Sequence, residues 1–375
     1  MLQRVPYAPP AWAANLTPPE NGRVRLGHLP TPIMPWNCPA LRDLGVTWLI
    51  KRDDMSGVEL SGNKVRKLEY LMAEALAKGH DSVVTVGGLQ SNHCRATAAA
   101  ARLVGLDAHL ALLVSDRDAD ADPGLQGNLL LDRMLGATLH LCVASDYFRL
   151  GGDLAAMDKL NEIVADQLRA QGKNPYVVPV GGTCPLGAWG YLSAVDELTQ
   201  QMSQGGEGSG AAEFDAIVFA AGSGGTATGI ALGCRLAQIP AEVHAVNVQH
   251  SPEVYYASIQ SEAEALGATV ERDGRSEQWL SLHDGGKMGY ARTDPEQLGF
   301  IREVAAGSGV VLDHVYTGKA LYQFCEEARK EPERWRGKRI LFWHTGGLLG
   351  LYAAAPQLGE LMPKAAVQRI RLPKV

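Results

Sequence analysis

Short β-branched segments alternate with alanine- and leucine-rich segments along most of this 375-residue chain. Strands are predicted at residues 82–86, 108–114, 138–143, 176–180, 216–220, 243–248, 310–312 and 340–344. Helical segments of about 10–15 residues lie between many of them, and this alternation predicts an α/β fold with doubly wound, mostly parallel sheets. Such sheets bind ligands beyond the carboxyl ends of their strands, so the turns at those ends are candidate sites.

The composition of the chain disfavours several classes of partner. Lys and Arg number 35 against 41 Asp and Glu, a formal net charge of −6 without a long basic run, so we expect no nucleic-acid and no membrane partner. No stretch of about 18 apolar residues could span a bilayer. The six cysteines are scattered without a CxxC pair, which is typical of reduced thiols. We therefore expect a soluble intracellular protein, cytoplasmic or in the mitochondrial matrix.

A glycine-rich turn follows the predicted strand at 216–220. Residues Gly222, Ser223, Gly224, Gly225 and Thr226 would expose backbone N–H groups at the start of a helix, where the helix dipole favours an anion. The pattern G-x-G-x-x-A is also that of dinucleotide sites, which need an acidic residue at the end of the next strand. That strand ends in Asn247-Val248-Gln249, so a lone phosphate group is favoured over a dinucleotide.

Lys64, in the tetrapeptide Ser61-Gly62-Asn63-Lys64, has three interpretations. It could be a solvated surface lysine, or the lysine of an S-x-x-K acyl-transfer motif. The second needs Ser61 at the start of a helix, where Gly62-Asn63 is a poor first turn, and S-D-N and K-T-G elements that are missing here. The third is a lysine that forms a Schiff base. With the phosphate turn, the third suggests a cofactor with an aldehyde and a phosphate end, which describes pyridoxal 5'-phosphate.

Several motifs in the same order resemble the fold-type II pyridoxal-phosphate enzymes. They are residues 60–70, 87–95, 176–182, 189–191, the glycine-rich turn and 344–352. Within that group the chain resembles the D-cysteine desulfhydrase and 1-aminocyclopropane-1-carboxylate deaminase family from about Leu26 to Tyr352. The resemblance implies a tryptophan synthase β-like fold, pyridoxal 5'-phosphate as the cofactor and a homodimer. Since Lys64 lies far from the glycine-rich turn along the chain, we expect a small domain (67–185) inserted in a large cofactor-binding domain (1–66 and 186–375).

The resemblance also implies roles for individual residues. Lys64 would hold the cofactor and act in catalysis together with Ser91, Tyr290 and Tyr316. Lys67 and residues 222–226 would bind the phosphate group. The substrate would be bound by Gln90, Ser91, Asn92 and His93, with Asn92 also contacting the cofactor. Simpler interpretations remain for some of these residues: a helix N-cap for Ser91, a solvent-facing position for Lys67, and core tyrosines for Tyr290 and Tyr316. His93 and Cys94 have no second ligand pair at metal-binding spacing, so no metal site is expected.

Thr317 and Thr345 bear on the reaction type. The deaminases that open a cyclopropane ring carry a glutamate after the second tyrosine and a leucine in the late histidine motif, where this chain has Thr317 and Thr345. A hydroxyl near the cofactor's pyridine nitrogen favours a less protonated ring than a carboxylate would. This suits β-elimination of thiolate from an amino acid. His314 departs from the family's usual proline and bears on the loop that carries Tyr316.

These observations predict a pyridoxal-phosphate lyase that converts D-cysteine to pyruvate, ammonia and hydrogen sulfide. The first alternative is a 1-aminocyclopropane-1-carboxylate deaminase, which both threonines disfavour. Two other classes remain open: a serine acyl-transfer enzyme, and a non-catalytic sensor of a phosphate ligand. A small-molecule amino acid is the expected substrate.

Overall fold

The computed structural model describes residues 1–118, 120–204, 214–248, 251–286, 289, 291–362 and 370. Its strands are β1 (Arg4–Val5), β2 (Arg23–Val24), β3 (Ile33–Trp36), β4 (Thr47–Arg52), β5 (Ser82–Gly88), β6 (Asp107–Val114), β7 (Thr138–Val143), β8 (Pro175–Val177), β9 (Ala216–Ala221), β10 (Glu242–Asn247), β11 (Ser281–Asp284) and β12 (Arg339–His344).

The helices alternate with these strands along the chain. They are α1 (Lys64–Ala77), α2 (Asn92–Val104), α3 (Asn128–Met134), α4 (Ala144–Arg149), α5 (Leu154–Ala170), α6 (Pro185–Gln204), α7 (Gly225–Leu236), α8 (Pro252–Ala265), α9 (Val270–Asp273), α10 (Pro295–Ser308), α11 (Thr317–Lys330), α12 (Pro332–Trp335), α13 (Leu348–Leu351) and α14 (Ala355–Leu361).

Two separate sheets form the framework. A six-stranded sheet has the order β11-β10-β9-β12-β4-β3, in which every neighbouring pair is parallel except β3 with β4. A four-stranded sheet has the order β7-β6-β5-β8 and is parallel throughout. This confirms the predicted α/β fold with mostly parallel sheets.

Helices cover both faces of each sheet. In β9, Ile217 and Phe219 cluster with residues of α6, α7 and α8, whereas Val218 clusters with α10 and α11. In β5, Val83 clusters with α1 and α2, whereas Val84 and Val86 cluster with α5. Side chains alternate along a strand, so a strand that is apolar on every residue must be covered on both faces. The continuous apolar character of these segments follows from that double coverage.

One predicted strand is wrong. Residues 310–312 have no regular secondary structure, although Val310 and Leu312 are buried against the six-stranded sheet. Their apolar character reflects burial, which in so short a segment cannot be told from a strand. The prediction also missed β1, β2, β3, β4 and β11.

The order of segments along the chain bears on domain organisation. Residues 82–177 supply the whole four-stranded sheet, and they lie between the two stretches, 33–52 and 216–344, that supply the six-stranded sheet. The division into 67–185 and the remainder stays a prediction.

No helix in the described part of the chain is long and apolar enough to cross a membrane. All six cysteines are unpaired. Within the same described ranges, His, Cys, Asp and Glu form no group of three or more that could hold a metal ion.

Candidate active site

A cavity of about 430 Å³ lies where strand ends from both sheets converge. Its walls include Gly87 and Gly88 at the end of β5, the turn after β9, and Thr345 to Gly347 directly after β12. These are carboxyl ends of parallel strands, where α/β sheets place their ligand sites. Among the predicted site residues, the cavity wall includes Lys64, Ser91, Asn92, His93, Gly222, Ser223, Gly224, Thr226, Tyr316 and Thr345.

Lys64 is the first residue of α1, and its Nζ lies 3.3 Å from the carbonyl oxygen of Gly181. Burial of the amine, followed by the charge of Lys67, lowers the pKa of Lys64 well below its usual 10.5. The side chain therefore favours its neutral, nucleophilic form. The S-x-x-K interpretation does not fit, because Ser61 lies in the turn before the helix and Lys64 itself begins it.

Lys67 lies one turn later and behind the glycine-rich turn, outside the cavity wall. Its Nζ is 3.1 Å from the same Gly181 oxygen. Gly225 lies close to this amine and to Glu262, because a Cβ added at Gly225 would be 2.9 Å from Lys67 Nζ and 3.2 Å from Glu262 Oε1. Burial lowers the pKa of Lys67 to about 8, although the charge of Glu262 opposes the shift. Lys67 is thus a buried cation beneath the turn.

The turn after β9 has the features of an anion cradle. Gly224 has a φ of +106°, in the left-handed region that only glycine adopts at little cost. Ser223 Oγ lies 2.7 Å from Thr183 Oγ1, and Thr226 Oγ1 accepts a hydrogen bond from Asn63 Nδ2 at 3.1 Å. Helix α7 begins at Gly225, so its N-terminal N–H groups and dipole favour an anion at this end.

Residues 90–93 differ in whether they line the cavity or hold its wall in place. Ser91 Oγ accepts from Cys94 N at 3.2 Å and so caps α2, while Ser91 also lines the cavity. His93 Nε2 pairs with Thr85 Oγ1 at 2.8 Å, and burial followed by the charges of Lys64 and Lys67 lowers its pKa well below the usual value. The His93 imidazole is therefore neutral and forms part of the cavity wall.

Gln90 does not line this cavity. Its Oε1 accepts from Asn128 N at 3.0 Å and its Nε2 donates to Gln126 O at 2.9 Å. Both ends of its amide therefore support the segment before α3. Gln90 instead borders an adjoining cavity of about 390 Å³, which Ser91, Asn92 and Tyr316 also line.

Tyr316 lies between the two cavities, and Tyr290 lies outside the described residues. The Tyr316 ring packs against the turn after β9, because a Cβ added at Gly222 would lie 3.2 Å from Tyr316 Cε1. The neighbouring His314 is buried and borders the adjoining cavity. Its carbonyl oxygen accepts from Thr293 Oγ1 at 2.9 Å.

Thr317 and Thr345 occupy different environments. Thr345 lines the cavity, and its carbonyl oxygen accepts from Asn63 N at 3.0 Å. Thr317 is fully buried, does not line the cavity, and donates its hydroxyl to Asp313 Oδ1 at 2.7 Å. Of the two threonines, only Thr345 is brought together with Lys64.

Asp313 is a residue that the sequence reasoning missed. Its carboxylate accepts from the backbone N–H groups of Val315, Tyr316 and Thr317 at 2.8–2.9 Å. A Cβ on Gly347 would lie only 2.6 Å from Asp313 Cγ, so glycine permits this close approach. An Asp just before a helical segment is a capping signal that could have identified it.

Asp53 and Arg66 form a second missed feature, a buried ion pair that anchors the helix carrying Lys64. Arg66 Nη2 lies 2.8 Å from Asp53 Oδ1, and Asp53 also accepts from Tyr191 Oη at 2.7 Å and Trp343 Nε1 at 2.9 Å. Burial would raise the pKa of Asp53, but the charge and hydrogen bonds of Arg66 outweigh it and hold the pKa well below its usual range. Asp53 therefore stays ionised.

The donor set of the cavity fits pyridoxal phosphate. A neutral lysine amine can bind an aldehyde, and the glycine-rich turn offers backbone N–H groups with two hydroxyls to a phosphate group. A volume of about 430 Å³ is in the range of small-molecule sites. Cofactor binding thus needs no group beyond those already in the wall.

Comparison with known proteins gives a consistent result. Residues 24–346 match the family of pyridoxal-phosphate dependent enzymes. The chain is similar to the bifunctional D-cysteine desulfhydrase/1-aminocyclopropane-1-carboxylate deaminase, mitochondrial, of Arabidopsis thaliana, with 46% identity over 361 residues, 96% of this chain and 87% of that one. It is 36% identical over 338 residues to the D-cysteine desulfhydrase of Klebsiella pneumoniae, covering 90% and 97% of the two chains. A solved structure of an ACC deaminase homologue superposes with a TM-score of 0.76 at 38% identity, covering 91% and 96%.

Proposed function

Because this chain belongs to the family of pyridoxal-phosphate dependent enzymes, we propose that it converts D-cysteine to pyruvate, ammonia and hydrogen sulfide. The relatives from Arabidopsis thaliana and Klebsiella pneumoniae are both named for D-cysteine desulfhydrase activity. The observation that carries the proposal is the Lys64 amine, whose pKa burial lowers, on the wall of a cavity shared by Ser91, Asn92 and the glycine-rich turn.

Each part of the cavity has a separate task in holding the cofactor. Lys64 would bind its aldehyde, and the turn from Gly222 to Thr226 its phosphate group, with Lys67 adding positive charge from behind. Thr345 would offer a neutral hydroxyl to the ring nitrogen. When bound, the cofactor supplies an electron sink that stabilises negative charge at the substrate's Cα.

The substrate would be held and deprotonated by groups already on the wall. Ser91 and Asn92 would hold its carboxylate, since a hydroxyl and an amide N–H are suitable donors to an anion. Lys64, once its amine is released, would take the Cα proton at Nζ, a role that a neutral amine can fill. Tyr316 would assist at the β-carbon, where thiolate departs, since its hydroxyl can donate or relay a proton.

The nearest alternative is a 1-aminocyclopropane-1-carboxylate deaminase. The bifunctional name of the Arabidopsis thaliana relative is the specific observation in its favour. Thr345 argues against it, because a neutral partner leaves the ring nitrogen less protonated than ring opening requires. We therefore rank desulfhydration first.

A substrate panel tests both activities. The holoenzyme is given D-cysteine, L-cysteine and 1-aminocyclopropane-1-carboxylate separately, and hydrogen sulfide and keto acid are measured. We expect both products from D-cysteine, with the L-enantiomer at least about tenfold slower, equivalent to roughly 1.4 kcal/mol in the barrier. Keto acid from the cyclopropane substrate alone would replace the proposal with its alternative, and the absence of both activities would refute both.

Assembly and compartment are further proposals. We propose a homodimer, on the resemblance to fold-type II enzymes, and light scattering of the purified holoenzyme would reveal a monomer if this is wrong. We also propose a reducing compartment, cytoplasm or mitochondrial matrix, which six unpaired cysteines and the mitochondrial name of one relative support. Microscopy of a tagged full-length protein would distinguish the two.

A further inference from the structure

Three titratable side chains at one edge of the six-stranded sheet form a chain of hydrogen bonds. Glu242 and His244 lie on β10, and His283 lies on the edge strand β11. Glu242 Oε2 lies 3.1 Å from His244 Nε2, and His244 Nδ1 lies 2.9 Å from His283 Nε2. None of the three lines the active-site cavity. The proposed reaction therefore leaves this cluster without a role.

The carboxylate of Glu242 sets the direction of these hydrogen bonds. Burial raises the pKa of Glu242, but Arg334, whose Nη2 lies 2.6 Å away, outweighs burial and lowers it. An ionised carboxylate only accepts, so His244 must carry its hydrogen on Nε2. Burial, followed by the charge of His283, lowers the pKa of His244 to about 4. A neutral His244 has one N–H group, so its Nδ1 accepts from His283 Nε2 at pH 7.

This arrangement tolerates one added proton but not two. A first proton on His283 Nδ1 leaves both hydrogen bonds intact. Burial lowers the pKa of His283, while the charges of Glu327 and Glu331 favour this proton and that of Arg334 opposes it. A second proton would have to bind His244 Nδ1, toward which the N–H group of His283 already points. Two donors would then face each other, and the hydrogen bond between the rings would be lost.

The surroundings of His244 offer no other partner for such a proton. His244 is almost fully buried, and the rings of Phe324 and Trp335 pack edge-on against it with centroids 5.6 and 5.3 Å away. A phenyl ring has no hydrogen-bond acceptor, and an indole N–H group only donates. A charged His244 would therefore reach water only if β11 moved away from β10.

The strand β11 is suited to such a movement. It has four residues and lies at the edge of the sheet, where β10 is its neighbour. Short elements with one neighbour open at a lower free energy than interior strands do. Farther along the chain, Thr293 borders the cavity that adjoins the active site and donates its hydroxyl to His314 O at 2.9 Å. The position of β11 thus bears on one wall of that adjoining cavity.

We propose that Glu242, His244 and His283 form a pH-sensitive latch, which holds β11 against β10 at neutral pH and releases it in acid. Because the closed latch lowers the pKa of His244 from 6.5 to about 4, the open form takes up the proton more readily. The stabilisation by the latch is therefore fully present above pH 6.5 and is lost as the pH falls toward 4.

Hydrogen exchange of the β11 amides in the holoenzyme tests the latch at pH 7.5 and pH 5. Rates are corrected for intrinsic exchange at each pH, and the protection of β11 in the parent should fall at least about tenfold at the lower pH. His244→Phe suits the aromatic surroundings but makes neither hydrogen bond, so its β11 should be weakly protected at both pH values. His283→Gln keeps an N–H donor for His244 and cannot become charged. It should match the parent at pH 7.5 and lose less protection at pH 5.

The control is His80→Gln, which removes a histidine near the other sheet, hydrogen-bonded to Asn174 O, and should behave as the parent does. Protection of β11 that is independent of pH in the parent would overturn the proposal. An equal loss in His244→Phe and the parent would also overturn it. Thermal unfolding at pH 7.5 shows whether each variant folds. If His244→Phe does not fold, equal losses in His283→Gln and the parent would still refute the latch.

Discussion

The amines of Lys64 and Lys67 share one acceptor, the carbonyl oxygen of Gly181, at 3.3 and 3.1 Å. Two buried cations repel each other, so each lowers the pKa of the other. For Lys64 the charge of Lys67 is the largest contribution after burial itself. Lys67 therefore does more than supply charge behind the phosphate turn: it helps to keep Lys64 neutral.

Replacing Lys67 should slow cofactor attachment at neutral pH. Lys67 has a pKa of about 8 and carries its charge below that pH. In Lys67→Met this charge is lost, so the pKa of Lys64 rises and the neutral fraction of its amine falls. The measured quantity is the rate at which pyridoxal becomes attached to the apo-protein, trapped by borohydride. Pyridoxal has no phosphate group, so a lost phosphate contact cannot account for slower attachment.

The pH dependence distinguishes this explanation from damage to the site. Above pH 8, Lys67 is neutral in the parent too, so the rates of parent and Lys67→Met should converge. Lys67→Arg, which retains the charge, should resemble the parent at pH 7. A constant difference between parent and Lys67→Met at every pH would contradict the electrostatic account.

Removing the Lys64 amine should abolish turnover. Lys64→Ala cannot bind the cofactor aldehyde, so we expect its visible absorbance to shift to that of the free aldehyde and hydrogen sulfide production to cease. The control is Lys78→Ala, which removes an exposed lysine just after the same helix and should keep both properties. Full activity in Lys64→Ala would end the assignment of this cavity.

A side chain at Gly224 should weaken retention of the cofactor. Gly224→Val forces a β-branched residue to φ of +106° within the anion cradle, which costs roughly 1–2 kcal/mol in backbone strain and displaces N–H donors. Gly79→Val is the control, since it also places a β-branched residue at positive φ (+70°), with open space around it. Only Gly224→Val should lose its cofactor on dialysis; equal retention by both variants would place the phosphate site elsewhere.

Removing the hydroxyl of Thr345 should reduce the reaction rate more than the stability of the fold. Thr345→Val keeps the shape and removes the hydroxyl, and we expect D-cysteine turnover to fall at least about tenfold, or roughly 1.4 kcal/mol. Thr317→Val instead removes the hydrogen bond to Asp313 and should lower the unfolding temperature. Glutamate at 317 would place a second carboxylate beside Asp313, so Thr345 is the cleaner test. Parent-level turnover in Thr345→Val would remove this threonine from the choice of reaction.

The buried pair of Asp53 and Arg66 should dominate the stability of this region. Asp53→Asn leaves the buried cations Arg66 and Lys51 to share the one carboxylate of Glu197, and should lower the free energy of unfolding at pH 7 by about 3 kcal/mol. Asp107→Asn, which breaks exposed ion pairs with Arg102 and Lys173, should cost less than about 1 kcal/mol. Urea unfolding of parent and both variants provides the comparison.

The difference in free energy of unfolding between the parent and Asp53→Asn should become smaller at low pH. The pKa of Asp53 is depressed by folding, so its contribution is fully present above the unfolded value of about 3.9 and is lost as the pH falls through the folded one. The gap between parent and Asp53→Asn should therefore narrow below about pH 4. A gap that stays constant down to pH 3 would show that the charge of Asp53 is not its source.

Local sequence signals were sufficient for the four-stranded sheet, for β9, β10 and β12 of the six-stranded sheet, and for the residues at the ends of those strands. Alternating apolar segments predicted the parallel sheets because burial on both faces leaves a continuous apolar strand. The turn from Gly222 to Thr226 was recognisable because glycine and a helix start have strong local preferences, whereas the Schiff-base role of Lys64, the first residue of α1, needed the family resemblance. The family resemblance added Ser91, Asn92 and Tyr316, which the cavity brings together with Lys64.

Contacts between distant segments were decided only by the tertiary structure. Nothing local distinguishes Thr317 from Thr345, yet the first is engaged by Asp313 and the second faces the cavity. The same holds for Gln90, whose amide supports the segment before α3. The sequence alone specifies which polar groups the chain has, whereas tertiary packing decides which of them are hydrogen-bonded to one another. A buried polar group pairs with a partner that the fold brings within hydrogen-bonding distance.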